Sequence, residues 1–362
     1  MFNIYPTLMK IAYNVSTVNY LWQAENLAKS FLHHNPDYKF IVCLIDKPSA
    51  NWNIADYQFS FDIIWIGDLQ VPTWDKMVEY YTFFELVIAT KALVLDYLCT
   101  QYDTDFVIYL DTDIIIYDSF QLVEQELVTH NIILTPYACS SLPTTTSIEN
   151  VISGFAEDKP FEDRMMLYVG IYNIGFIAVK NCPETKAFRE WWITKCINQG
   201  FIATKQGCFG EQLNLNLVPI FFDKVLVLKD LGYNAAVWNL HERKFSQKNG
   251  KFYVNDTIPL VFYHFSGYVP EKPKQITKWM PTLIEERPDI EPLFTQYHQT
   301  FADTTYAHLR QQVCGFIEQR KQILATRKKK VFIEPLQYRI LRRLLMYIPQ
   351  KIKQDMKDIL AD

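Results

Sequence analysis

Apolar positions in the first hundred residues fall into two alternating rhythms. Ile11 to Val15, Phe40 to Ile45 and Ile63 to Ile66 are short unbroken runs of strand formers, the length of buried strands and too short for free-standing helices. Between the first two runs, Leu21, Ala24, Leu27, Ala28, Phe31 and Leu32 share one face of a helix over Tyr20 to Leu32, which Asn35-Pro36-Asp37 ends. Leu86, Val87, Leu93, Val94 and Tyr97 mark a second long helix over Phe83 to Leu98, interrupted by Lys91. Strand alternating with helix predicts an α/β fold with a mostly parallel central sheet and right-handed crossovers. Ligands of such sheets bind beyond the carboxyl ends of the strands.

The clearest strand is Phe106 to Leu110, and Asp111 and Asp113 follow it directly. In an extended segment residues two apart point to the same side, so the two carboxylates converge while Thr112 faces away. Like charges held that close call for a cation between them. Ile114 to Tyr117 then resumes strand character and makes the acidic pair a corner between two extended pieces. Asp103-Thr104-Asp105 has the same spelling but precedes the strand, at its amino end, where solvated turn residues are expected.

Further along, Thr135 to Pro160 is polar and turn-rich and reads as a long loop region. Leu167 to Lys180 reads as two strands joined by a turn at Asn173 and Gly175, and Pro183 to Cys196 as a helix with core tryptophans Trp191 and Trp192. Gly210-Glu211-Gln212 opens another helix, where the acid fits a dipole partner. Leu226 to His241 mixes core and polar aromatic residues in the manner of a substrate-lining segment, and Leu260 to Gly267 is a buried strand carrying His264. Lys91 is either a snorkelling surface lysine or a cation aimed at phosphate.

Composition narrows the class. The 362 residues, 49% hydrophobic, suffice for one large domain with an appendage. A net charge of -4 argues against nucleic-acid binding. The 7 cysteines include no C-x-x-C pair, which fits a reducing, cytoplasmic compartment rather than a disulfide or zinc framework. The first residues lack a basic region followed by a long apolar run, so no signal peptide is expected, and with no run of about 18 apolar residues no transmembrane helix is expected either. Residues 1–275 are expected to form the main domain and 276–362 a helical extension. Between Arg320 and Lys353 the basic residues Arg320, Lys321, Arg327 to Lys330, Arg339, Arg342, Arg343, Lys351 and Lys353 stand against Glu334 alone, interleaved with Leu336, Ile340, Leu341, Leu344 and Leu345. This is the pattern of a basic amphipathic helix lying peripherally on the inner face of an anionic membrane, or equally of a solvated helix closing on the main domain.

From about Ile11 to Pro273 the chain resembles glycosyltransferases of the GT-A fold, most of all the family 8 type of retaining, nucleotide-sugar-dependent enzymes and their bacterial relatives. The resemblance rests on an ordered set: the first strand followed by Thr17, Asn19 and Tyr20; the helix with Lys91; YLDTD at Tyr109 to Asp113; YNIGF at Tyr172 to Phe176; Glu211-Gln212; YNAAVWNLH at Tyr233 to His241; and HFSG followed by Lys272-Pro273. It implies Asp111, Asp113 and His264 as ligands of Mn2+ or Mg2+. It also implies donor contacts from Thr17, Asn19, Tyr20, Lys91, Thr112, Asn173, Gly267 and Lys272, with Gln212 near the anomeric carbon. Two departures stand out: the family's Asp-Gln pair reads Glu211-Gln212, and the interval from HFSG to Lys272-Pro273 is longer than usual.

The activity so implied is transfer of a hexose from a nucleotide sugar, UDP-hexose favoured, to a glycan or lipid-linked glycan acceptor, with a divalent ion offsetting charge on the departing diphosphate. The acceptor is expected against Trp238, Asn239 and His241. An amide is a poor nucleophile, so Gln212 suits front-face retention, whereas inversion would need a carboxylate base, for which Glu211 is the nearby candidate. One rival reading is a phosphatase with an hhhhDxDxT motif, which position 115, an Ile, fits poorly. The other is a non-catalytic sugar- or membrane-binding protein built on a transferase fold.

Overall fold

The computed structural model describes residues 9–142 and 162–326. Met1–Arg320 is one compact unit and Lys321–Asp362 a second, of which residues 321–326 are described. The basic residues from Arg327 onward, and most of the loop expected over Thr135 to Pro160, lie outside the described residues. None of the described helices is long and apolar enough to cross a membrane.

The α/β architecture with a mostly parallel central sheet is present. Strands β1 (Met9–Ser16), β2 (Tyr38–Leu44), β3 (Asp62–Trp65) and β4 (Thr104–Leu110) pair in parallel in the order β4-β1-β2-β3. After the short β5 (Ile114–Ile116) come β6 (Ile132–Pro136) and β7 (Tyr172–Lys180). β7 runs antiparallel between β4 and β6, and Val225–Val227 closes the seven-stranded sheet beside β6. Helix α1 (Leu21–His34) follows β1, and helices Phe83–Gln101 and Pro183–Gln199 are long as expected.

The period of two along each strand sorts its side chains between two cores. Ile11, Tyr13 and Val15 of β1 and Val107 and Tyr109 of β4 face the core shared with helices Phe83–Gln101 and Pro183–Gln199. Ala12, Phe106, Ile108 and Leu110 face the opposite core, with α1. Tyr109 therefore points toward the helix that carries Lys91, a fact that fixes much of the site.

Three sequence expectations are corrected. Leu167 to Lys180 is not a hairpin: Asp163–Val169 is helical, and Asn173 and Gly175 lie inside one continuous strand. The segment after Gln212 is a 3-10 turn, Leu213–Leu217, with a single helical turn at Val218–Phe221, rather than a helix opened by Glu211. The chain from Ile276 is not helical at once, because Gln275–Thr277 and Met280–Leu283 form a hairpin first. The compact unit also extends past residue 275, since Ile276, Ile290, Leu293, Phe294 and Tyr297 share a core with Trp238, Tyr263 and Phe265.

Candidate metal and donor site

β4 ends at Leu110, and Asp111, Thr112 and Asp113 form a tight turn before β5, closed by Ile114 N donating to Asp111 O at 3.3 Å. The two carboxylates thus meet across a turn and not along an extended pleat, which corrects the geometry read from the sequence. β5 pairs antiparallel with Phe262–His264, placing His264 opposite Ile114, and Phe265 N donates to Asp113 O at 2.8 Å. The register of that short ladder is what brings His264, distant in sequence, to the acidic turn. One ligand atom from each of Asp111, Asp113 and His264 lies within 4.8 Å of the others. The imidazole Nε2 is 2.9 Å from Asp113 Oδ1 and 3.9 Å from Asp111 Oδ2.

The donor set fits a divalent cation. Asn173 Oδ1 accepts from Gly175 N at 3.1 Å, so the atom facing His264 Nδ1 at 3.2 Å is an acceptor, and Nδ1 must carry the proton. That tautomer leaves the Nε2 lone pair for a metal beside two carboxylates, the usual support for an imidazole ligand. Gly175 is required by the same packing: a Cβ there would lie 2.5 Å from His264 Nδ1 and 2.8 Å from Asn173 Oδ1. Close approach, not a turn, explains this glycine. Burial pulls the His264 pKa down, but the neighbouring Asp113 and Asp111 outweigh it and hold it above the ordinary value. Burial likewise opposes the charged form of Asp113, and the attraction of His264 still leaves its pKa below the usual carboxylate range.

Behind the turn lies a buried charge network. Lys91 is 3% exposed, so the snorkelling reading fails. Its Nζ contacts Asp111 Oδ1 at 3.0 Å, Glu211 Oε1 at 2.7 Å and the Ile174 carbonyl at 2.8 Å, and it lies 4.7 Å from the Tyr109 ring centroid. Tyr109 OH donates to the same Asp111 oxygen. Burial pulls the Lys91 pKa down, but the two carboxylates outweigh it and hold it above the ordinary value, so the ammonium stays charged. Glu211 shares that one cation with Asp111 in a buried place, and desolvation pushes its own pKa up in spite of Lys91. Both values thus rise, Lys91 because two acids hold its charge and Glu211 because burial and the nearby Asp111 oppose its own, as expected where one cation serves two acids.

Gln212 is buried beside this network. Its Oε1 accepts from Ile174 N at 3.1 Å, and its Nε2 donates to Val169 O at 2.6 Å and Tyr137 OH at 3.0 Å. On the β1 side, Thr112 Oγ1 accepts from Asn14 Nδ2 at 3.2 Å, and the same amide donates to Leu110 O at 2.6 Å. Thr17 is buried and its hydroxyl donates to Asn19 Oδ1 at 2.7 Å, while Tyr20 is 48% exposed at the end of that loop. Gly267 adopts the left-handed conformation three residues beyond His264, at φ 72°. Lys272 is exposed on the turn that follows, with no contact to the cluster seen among the described residues.

The expected acceptor residues separate. Trp238 is buried and stands edge-on to the His264 ring, centroids 5.2 Å apart. Asn239 is fully buried and committed to backbone: Oδ1 accepts from Ala236 N at 2.9 Å, and Nδ2 donates to Tyr137 O at 2.9 Å and Asn234 O at 2.8 Å. His241 faces outward beside Ser140, on an open cavity of about 470 Å³ shared with Leu240, Glu242 and Arg287. Asp103 and Asp105 are both exposed at the amino end of β4, as expected of solvated turn residues.

Sequence reasoning missed Asn14, Tyr109, Tyr137 and the packing role of Gly175. Asn14 had a signal, a lone amide inside an apolar strand; Tyr137 had none.

No family model matches the chain. Two proteins of Bacillus subtilis (strain 168), both uncharacterized, are similar to it: YfnF, 31% identical over 158 residues, and YfnD, 24% identical over 278 residues. The first match covers 44% of this chain and 51% of YfnF, the second 74% and 81% of YfnD. The chain thus spans about half the length of YfnF. Among solved structures, it is similar to the galactosyltransferase LgtC in complex with donor and acceptor sugar analogues, with 15% identity, a TM-score of 0.45, and 81% of this chain and 96% of that one covered. It is also similar to the glycosyltransferase GlyE of Streptococcus pneumoniae TIGR4, with 15% identity, a TM-score of 0.46, and coverage of 88% and 64%. These scores leave the function to be argued from the chemistry of the site.

Proposed function

We propose that this chain is a metal-dependent glycosyltransferase of the GT-A type, moving a hexose from a nucleotide sugar, UDP-hexose favoured, to a glycan or lipid-linked glycan with retention of configuration. The observation that carries the proposal is the convergence of Asp111, Asp113 and His264 at the carboxyl end of the central strand β4, where ligands of such sheets bind. The ordered sequence motifs supply the transferase reading of that site.

Mn2+ or Mg2+ held by these three side chains would supply Lewis-acid stabilisation of the departing diphosphate. The chain's own residues do the rest. Tyr109 and Lys91 both bind Asp111 Oδ1 and so fix the orientation of that carboxylate. Asn173 holds the imidazole through Nδ1. Thr17, Asn19 and Tyr20, beyond the end of β1, would take the base and ribose, joined by Thr112, which is bonded to Asn14 of β1. Gln212 is held by bonds on both ends of its amide, which suits an orienting group better than a nucleophile. Glu211 is 5% exposed and paired with Lys91 at 2.7 Å, a poor situation for a base that must meet an acceptor hydroxyl. This favours front-face retention over inversion.

The test is donor binding and slow donor hydrolysis by the purified chain in Mn2+, across a panel of UDP- and GDP-sugars. At least one donor is expected to raise the melting temperature only with metal present, and Asp113→Ala to abolish that shift. Absence of binding and hydrolysis for every donor would refute the transferase reading.

A further inference from the structure

The hairpin Gln275–Thr277/Met280–Leu283 has no role in the site just described, yet it is fastened to it. Lys278 N donates to Gly267 O at 2.8 Å, and Thr277 Oγ1 donates to Ser266 O at 2.9 Å. Gly267 lies two residues beyond Phe265, whose N–H is bound to Asp113 O. The tip of the hairpin, Lys278-Trp279, is thereby tied by a short chain of backbone bonds to a proposed metal ligand.

Trp279 is unusual among the chain's 8 tryptophans. It is 64% exposed, whereas the others are buried or half-buried. Exposure here is not looseness. The indole edge packs on Gly267 so closely that a Cβ at that glycine would collide with the Nε1 atom and would lie 2.6 Å from Thr277 Oγ1. Lys278 Nζ lies 4.5 Å from the ring centroid. An aromatic ring with its edge fixed, the Lys278 ammonium over one face and most of its remaining surface in water carries a standing desolvation gain for a partner with a flat apolar face and polar edges. The C–H face of a pyranose is such a partner, and its ring hydroxyls can bond to neighbouring polar groups while the Lys278 ammonium adds a donor.

We propose that Trp279 is a saccharide-binding platform that seats a sugar ring of the acceptor beside the reaction centre. The proposal rests on the transferase reading. The nucleobase is assigned to the Thr17–Tyr20 loop in that reading, which leaves the Trp279 ring for the acceptor. Trp238, expected from sequence to stack on the acceptor, is buried against His264 and offers no open face.

Saturation-transfer NMR in UDP and Mg2+ tests this, with methyl β-galactoside, methyl β-glucoside, lactose and cellobiose as probes. The wild-type chain is expected to bind at least one of them. Trp279→Ala should weaken that binding about fivefold to tenfold, the scale of one aromatic contact, and Trp279→Phe should restore most of it. If Trp279→Ala weakens UDP but no saccharide, the ring serves the base and the proposal is overturned. It is also overturned if the wild type binds none of the saccharides, or if the alanine variant binds them equally well. UDP binding by the wild type that depends on Asp113 would leave the transferase reading standing in all these cases; its absence would remove that reading separately.

Discussion

Lys91→Met is the most informative single change, because it strips one cation from a buried network without shortening the side chain much. In the native chain Lys91 Nζ neutralises Glu211 at 2.7 Å and Asp111 at 3.0 Å and caps the Ile174 carbonyl. Asp111 is 26% exposed and can turn to water, but Glu211, with 6% of its side chain exposed, has nowhere to go. Removing one partner of such a pair costs about 3–5 kcal/mol. An entropy of unfolding of about 2.1 cal/mol/K per residue over Met1–Arg320 gives roughly 0.7 kcal/mol per degree, so the melting temperature should fall by about 4–7 °C. The loss should depend on pH. Glu211 already titrates above its ordinary 4.5 in the folded state, and without Lys91 it must rise further. A folded pKa above the unfolded one means the native state binds the extra proton, so stability falls as pH rises from 4.5 through the folded value. The penalty of Lys91→Met should therefore be smaller at pH 5 than at pH 8. Adding Glu211→Gln should recover most of it at pH 8. Calorimetry of the three proteins in EDTA at both pH values decides the matter. A penalty independent of pH, or a double variant no more stable than Lys91→Met, would refute the account of a shared buried cation.

Gly175→Ala should force the new methyl against His264 Nδ1 and Asn173 Oδ1. It should cost about 1–3 kcal/mol of stability and about 10–100-fold in Mn2+ affinity by titration calorimetry. In EDTA, His264 carries a pKa raised above 6.5, so its contribution to stability is complete below that value and is lost as pH rises through the folded pKa. His264→Gln should flatten this part of the stability profile, and Mn2+ affinity of the unaltered chain should climb over the same interval as the proton leaves. Asp103→Asn and Asp105→Asn, at the exposed amino end of β4, should change stability by no more than about 0.5 kcal/mol and leave metal binding untouched.

Much of the framework was legible along the chain because it is written in local periodicity. Short apolar runs marked β1 to β4, helical spacing marked α1 and Phe83–Gln101, and the position of Asp111 and Asp113 after a buried strand separated them from Asp103 and Asp105. That last distinction needs only the direction of a strand, which sequence order supplies. Misreadings came where one residue type serves two physical purposes. Gly175 and Asn173 looked like a turn because glycine and asparagine favour turns, yet one makes room for an imidazole and the other holds it. Lys91 remained open between surface and site because helical spacing places a side chain on a face without saying what packs against that face.

The sequence by itself determined which strand ends in carboxylates, which helix carries a lysine on an otherwise apolar stretch, and that a histidine closes a distant strand. Only the tertiary structure decided that these belong together. The pairing of β5 with Phe262–His264 sets His264 against Asp113, and the sidedness of β4 turns Tyr109 toward Lys91. Lys91 then commits Glu211 to charge balance. Such contacts depend on register and layer stacking between separate segments, in two of the three cases more than a hundred residues apart. Local propensity is blind to them, because the interactions that select one register are made only once both partners are in place.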